Sequence, residues 1–154
     1  MHEMQTDRLW LRPLTMDDLE DWRREIYADP EVVRLYSGRG VETVEQARQR
    51  LAGHLAAWRE DELGRLAVVL KESGQLLGQV HLDAYVNRWY RWADEPDPPA
   101  NVMEVELAFA FGRRFWGQGY AFEACTAVIG YAFGELNLRR LVGGAHQDLS
   151  LIHI

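Results

Sequence analysis

The stretch VMEVELAFAFGRRFWGQGYAFEA, Val102 to Ala124, decides the fold. Its opening, Val102 to Phe111, is a run of apolar and β-branched residues that predicts a strand. Tyr120 to Leu136 predicts a helix, with Ala121, Ala124, Cys125, Val128, Ile129, Ala132 and Phe133 as its apolar stripe. Between them lies a turn, residues 112–119, that enters the helix through Gly117 and Gly119. Glycine inside a helix costs roughly 0.5–1 kcal/mol against alanine, so helix stability does not call for these two. Past the helix, RRLVGGA (Arg139 to Ala145) predicts a final strand. A strand–helix–strand passage of this length implies a parallel pair joined by a right-handed crossover.

Working back toward the N-terminus, Arg8 to Leu14 alternates and predicts a first strand. Thr15 followed by Asp18 is a near capping box, and Leu19, Trp22 and Ile26 follow at helical spacing. Thr43 with Gln46 opens a second helix that shows Val44, Ala47, Leu51, Leu55 and Trp58 on one face. The loop between these helices contains SGRG, Ser37 to Gly40. Arg65 to Leu70 and Gln75 to Tyr85 flank an ESG turn and predict an antiparallel hairpin. Val86 to Asn101, rich in proline and charge, predicts an irregular excursion. The expected fold is one α/β domain with three to four helices. Its sheet is mixed and mainly antiparallel, with a parallel pair at the end.

The 154 residues suit one domain and are enough to bury a core without staples. Lys and Arg total 17 against 24 Asp and Glu, a formal net charge of −7, which argues against nucleic acid as the main partner. Acidity is compatible with an amine substrate. Cys125 is the one cysteine, so neither a disulfide nor a thiolate metal site forms within the chain. No apolar run approaches the ~18 residues of a membrane span. The N-terminus has no signal-like apolar core, and the chain reads as cytoplasmic.

The first turn of a helix leaves backbone N–H groups unpaired and partly positive. Bare backbone at Gly117 and Gly119 would let a phosphate approach them. On spacing alone, a tight strand-to-helix turn with no ligand explains the glycines as well. A P-loop needs Gly-Lys-Ser/Thr, but the only lysine is Lys71. A Rossmann fingerprint needs glycine where Phe122 stands. The pattern Arg114-x-x-Gly117-x-Gly119 instead resembles the pyrophosphate loop of the GNAT superfamily of N-acetyltransferases. VELAFAFGRRFWGQGYAFEA, TDRLWLRPLTMDDLEDW and YAFGELNLRRLVGGA are similar to segments of the branch that includes ribosomal-protein N-terminal acetyltransferases. The likeness spans most of residues 5–148.

That resemblance implies acetyl-CoA as co-substrate. The pantetheine arm would run beside Phe109, Ala110 and Phe111. The pyrophosphate would meet backbone amides across Arg114, Gly117, Gln118, Gly119, Tyr120 and Ala121. Phe115 and Trp116 read as packing residues that close the turn. Acetyl transfer needs a neutral amine, and an α-amine, with pKa near ~7.7–8.0, loses its proton more readily than a lysine near ~10.4. A carboxylate can take that proton. Glu104 and Glu106 are the candidates, two apart on one strand and so on one face. Glu106 matches the glutamate that opens the family's strand motif. Each has a plainer reading as a solvated strand residue. His81 and Asp83 share a face of the neighbouring strand and rank below them. Cys125 reads as a buried, inert thiol, so transfer is expected to be direct.

Two further expectations concern the edges. Trp89, Tyr90 and Trp92, with Asp94, Glu95 and Asp97, would cap an acceptor pocket, form a solvated loop, or make a homodimer contact. Family members continue after the last strand into a polar turn, a helix and two more strands. HQDLSLIHI, residues 146–154, does not resemble them, which implies a C-terminally truncated domain. The function expected is acetyl transfer to a protein N-terminus or a small amine. The alternative is an acyl-CoA-binding module without turnover.

Overall fold

The computed structural model describes residues 1–56, 63–87, 102–146 and 148. Five strands form one sheet in chain order: β1 (Met4–Gln5), β2 (Leu9–Pro13), β3 (Gly64–Leu70), β4 (Leu76–Asn87) and β5 (Val102–Phe111). Every neighbouring pair is antiparallel. The predicted hairpin is present. Its turn closes with Gly74 at φ +70°, and the Gly74 N–H donates to the Leu70 carbonyl at 2.8 Å. Opposite the end of β5, Gly78 faces Phe111, and a Cβ there would stand 2.2 Å from the Ala110 carbonyl oxygen. Only glycine lets β4 and β5 approach so closely.

The helical layer over one face begins at Thr15, whose N–H donates to the Asp18 carboxylate at 2.8 Å. Residues 16–27 are less regular than their spacing predicts. A 3-10 turn (Met16–Asp18) leads into α1 (Leu19–Trp22) and then a π-helical segment (Arg23–Tyr27). Next comes α2 (Pro30–Tyr36), within the segment expected to be a loop. Asp29 caps it by accepting from the Glu31 N–H at 2.9 Å, and Pro30 supplies a preset φ in the first turn. The third helix, α3 (Val44–Ala56), opens on the expected reciprocal cap. The Thr43 N–H donates to Gln46 Oε1 at 2.9 Å, and the Gln46 N–H to Thr43 Oγ1 at 3.3 Å.

On the opposite face lies α4 (Tyr120–Gly134), entered through a 3-10 turn at Arg113–Phe115. Its buried positions are Ala124, Val128, Tyr131 and Ala132. Ile129 and Phe133, predicted on the apolar stripe, are exposed because the stripe centres on the 124–128–131 line. The sheet is thus sandwiched between two apolar cores. Leu9, Leu11, Leu66, Val68, Leu77, Val80 and Leu82 meet α4 on one side. Ala67, Val69, Leu76 and Ala110 meet Trp22, Ile26, Val33 and Leu51 on the other.

The predicted final strand 139–145 is reduced to one parallel bridge, Glu106 to Val142. The Val142 N–H donates to the Val105 carbonyl at 3.0 Å, and the Leu107 N–H donates to the Val142 carbonyl at 2.9 Å. Gly143 and Gly144 follow at once, and glycine weakens a strand. The parallel contact predicted at this sheet edge is therefore real but short. The excursion residues Trp89, Tyr90, Trp92, Asp94, Glu95 and Asp97 lie outside the described residues. Among the described residues, no helix is long and apolar enough to cross a membrane.

Candidate active site

The turn from β5 into α4 is fixed by bonds at its base and left open at its top. The Gly112 N–H donates to the Leu77 carbonyl at 2.9 Å, and the Phe115 N–H donates to the Gly112 carbonyl at 2.9 Å. Phe115 packs against the core, and Trp116 Nε1 donates to the Phe111 carbonyl at 2.8 Å. These two residues close the turn, as expected. Gly117 and Gly119 both lie in the left-handed region, at φ +73° and +80°. Ordinary L-residues are strained there, so the turn itself requires glycine. Nothing stands within 4 Å of where a Gly117 Cβ would be.

The loop carries a second feature that turn geometry does not demand. Gly119 is the N-cap of α4 and offers no side chain to its first turn. Among the described residues, the backbone N–H groups of Gly117 and of Gly119 to Phe122 have no acceptor, while that of Gln118 closes a type II turn around Trp116 and Gly117; the next, Glu123, donates to the Gly119 carbonyl. Near the end of β5, Phe109 is 47% exposed, and past Leu107 the 142 segment makes no further backbone bond to β5 among the described residues. Ala110 and Phe111, also predicted to flank a ligand, are buried in the two cores instead.

Arg114 lies on the turn, but its side chain points away from the open top. Its guanidinium grips the Glu25 carboxylate through both oxygens, with Nε donating at 3.1 Å. Glu25 is buried in the π-helical segment, and a Gly112 Cβ would sit 2.4 Å from its Oε2. Gly112 is therefore glycine to make room for this ion pair. The Arg114 backbone carbonyl accepts from Gln118 Nε2 at 2.9 Å. The long-range pairing with Glu25 has no local sequence signal.

The two candidate carboxylates separate clearly. Glu104 is 4% exposed, and both its oxygens accept from the Arg140 guanidinium. It anchors the chain entering the parallel bridge and is neither a solvated strand residue nor a free base. The Glu106 carboxylate has no hydrogen bond or ion pair among the described residues. A Cβ on Gly144 would lie 3.6 Å from its Oε1, so the segment after the bridge passes close by. Its cross-strand neighbour is Asp83. Like charges opposite one another on a ladder are unfavourable. Arg65 offsets this by donating to Asp83 Oδ2 at 3.0 Å.

Asp83 ends a polar chain that sequence reading did not foresee. Trp22 Nε1 donates to Gln79 Oε1 at 2.8 Å, Gln79 Nε2 to the Tyr36 hydroxyl at 2.8 Å, and Arg65 Nη1 to the same hydroxyl at 3.0 Å. His81 Nε2 stands 3.3 Å from Asp83 Oδ2. His81 is buried rather than a surface residue, and its Nδ1 has no partner. Burial first, then the charge of Arg65 and the nearby His54, push its pKa down to about 2. A neutral ring can still donate through Nε2. Cys125 is half-buried on α4, and burial raises its pKa to about 11, which leaves a poor nucleophile.

Residues 8–149 match the acetyltransferase (GNAT) domain family. The chain belongs to that family. It is 28% identical over 141 residues to the uncharacterized N-acetyltransferase p20 of Bacillus licheniformis, covering 92% of this chain and 71% of that protein. A solved acetyltransferase from Agrobacterium tumefaciens is 27% identical, with a TM-score of 0.74 over 99% of this chain and 80% of its own. A GNAT-family acetyltransferase structure from Bacillus anthracis shares the fold at 21% identity, with a TM-score of 0.75 over 97% of this chain and 76% of its own. The activity that goes with the GNAT family is acetyl transfer to an amine, generally with acetyl-CoA as co-substrate. For a GNAT domain, unpaired amides at the start of α4 and an unpaired carboxylate on β5 are a serviceable pairing. One part can hold an anion and the other can take a proton.

Proposed function

We propose that this chain transfers acetyl from acetyl-CoA to an amine by direct attack. The coenzyme diphosphate sits on the unpaired N–H groups of the Gly117–Phe122 stretch, and Glu106 serves as proton acceptor. The observation that carries this reading is the run of unpaired amides above two left-handed glycines at the start of α4. The fit to a diphosphate is chemical: several N–H donors converge at the positive end of a helix dipole, with open space over Gly117. The coenzyme supplies an activated thioester carbon.

This chain's own residues do the rest. The loop amides at Gly117, Gly119, Tyr120 and Ala121 bind and orient, and Gln118 holds the turn that presents them. Phe109, exposed beside the opening past Leu107, offers an apolar wall to the pantetheine arm. Glu106 takes the amine proton at a carboxylate that no described residue occupies, and Asp83 beside it favours a cationic acceptor. The acceptor is a protein N-terminus or a small-molecule amine.

Calorimetry with acetyl-CoA, on the wild type and on Gly117→Ala and Gly119→Ala variants confirmed as folded, tests the cradle. A Kd unchanged by both substitutions overturns it. A thiol-release assay with Ala- and Ser-terminal peptides and with small polyamines then tests turnover. Binding without release by any of them supports a non-catalytic module instead.

A further inference from the structure

Three arginines reach the loop that enters α4, and two of them are already occupied. Arg113 Nε is 3.1 Å from Asp29 Oδ2, and Arg114 forks onto Glu25. Both are turned toward the helical layer. The third, Arg8, comes from the far side of the sheet, just before β2. Its guanidinium lies across the loop. Nη1 donates to the Gln118 carbonyl at 3.0 Å, Nε donates to Glu123 Oε2 at 2.6 Å, and the group stacks 4.5 Å from the centre of the Tyr120 ring.

Those contacts fix the plane of the guanidinium and leave one edge over. Nη2 has no acceptor among the described residues and stands 3.4 Å from where a Gly119 Cβ would be. It faces Gly119, the N-cap of α4. Glu123 has no oxygen directed at the cradle that is not already engaged. Oε1 accepts from Thr6 Oγ1 and from the Arg8 N–H, and Oε2 accepts from Arg8 Nε. The chain's one lysine, Lys71, joins the same end of the sheet, with Nζ bonded to the Thr6 carbonyl. In a chain of net charge −7, two cations and a helix N-terminus are gathered here.

We infer that Arg8 is a coenzyme-binding residue, and that its free Nη2 edge takes a phosphate oxygen of the coenzyme seated on the unpaired amides of the Gly117–Phe122 stretch. This rests on the coenzyme reading of the loop. A planar fork held on one side by a carboxylate and a carbonyl presents its remaining donors in a set direction, which suits a phosphate. Gly119 then has two reasons to lack a side chain: its left-handed φ, and the closeness of Nη2.

The test compares acetyl-CoA, acetyl-3′-dephospho-CoA and acetyl-pantetheine by calorimetry. In Arg8→Gln, acetyl-CoA affinity is expected to fall about tenfold, the size of one charge-assisted hydrogen bond. Acetyl-pantetheine, which carries no phosphate, is expected to bind as to the wild type. A loss that vanishes with the dephospho compound assigns Arg8 to the 3′-phosphate; a loss that persists assigns it to the diphosphate. A second variant, Glu123→Gln, separates contact from scaffolding. It loosens the latch but spares the guanidinium, so acetyl-CoA should bind as well as before or better. Equal weakening of all three ligands in Arg8→Gln, or weakening by Glu123→Gln to the same degree, makes Arg8 a structural latch and overturns the inference. So does an Arg8→Gln protein that binds acetyl-CoA normally. If the wild type binds no acetyl-CoA at all, the coenzyme reading itself has failed, a result distinct from all of these.

Discussion

Between Glu104 and Leu107, β5 has a bonded neighbour on each side: β4 on one and the Val142 segment on the other. From Phe109 onward only β4 remains. At the first end the backbone of Val105 and Leu107 bonds to Val142, and the Glu104 carboxylate accepts from Arg140 through both oxygens. At the second end the chain turns through left-handed glycines and leaves a run of amides unpaired. Unpaired backbone that is not needed for stability can serve a ligand; saturated backbone can only hold the fold together. Glu106 sits on the boundary, bonded through its backbone neighbours and unengaged in its side chain.

The largest effect is expected at that boundary. Glu106→Gln should lower kcat about 10²–10⁴-fold while leaving acetyl-CoA affinity within twofold. Steady-state kinetics and calorimetry read the two quantities separately, and an equal loss in both would move Glu106 to the binding side of the comparison. Next comes the side of the open end that is sealed. Gly78→Ala drives a Cβ into the Ala110 carbonyl, whose backbone cannot retreat, and should destabilise the fold by about 3 kcal/mol in urea unfolding. A neutral result would mean that β4 and β5 can separate there.

The middle of the strand pair gives a pH signature. His81, opposite Ala108, has a folded pKa near 2, below its unfolded value near ~6.5. Above pH ~6.5 it is neutral in both states and contributes no pH dependence. As pH falls below that, the unfolded chain gains a proton that the folded site refuses, so stability drops by up to about 1.4 kcal/mol per pH unit. His54, lowered to about 4 mainly by burial, adds to the slope above that pH. Unfolding midpoints at pH 7.5, 6 and 5 check it, and His81→Gln should flatten the curve. The smallest effect belongs to the saturated end. Glu104→Gln strands a mostly exposed Arg140 and should cost about 1–2 kcal/mol of stability, with kcat per folded molecule unchanged. A fall in kcat comparable to that of Glu106→Gln would erase the distinction between the two carboxylates.

What the sequence made legible was local. The β3–β4 hairpin, β5, the start of α4 and the Thr43–Gln46 cap each rest on residues within a few positions of one another. The signal for α2 was also present, an Asp29–Pro30 start, and it went unread beside the more conspicuous SGRG loop. Gly117 and Gly119 were legible as the entry to α4, and their left-handed φ shows that the tight turn alone already demands glycine. The partners of the charged groups were not legible. Arg114 with Glu25, Arg140 with Glu104 and Arg8 with Glu123 join residues far apart in the chain, and charge alone does not say which acid an arginine will meet. The final strand was overread because its apolar run was weighed without the two glycines that end it.

Glu25, alongside the Asp29–Arg113 pair, ties the helical layer to the turn that enters α4. It belongs to the π-helical turn of the helical layer, it fills the space Gly112 vacates, and it holds Arg114 by both oxygens. Lifting that layer by more than a hydrogen-bond length would snap the fork and drag on the turn. Mechanically, the helical layer on one face and the turn that feeds the opposite face are bolted by two carboxylates, Glu25 and Asp29.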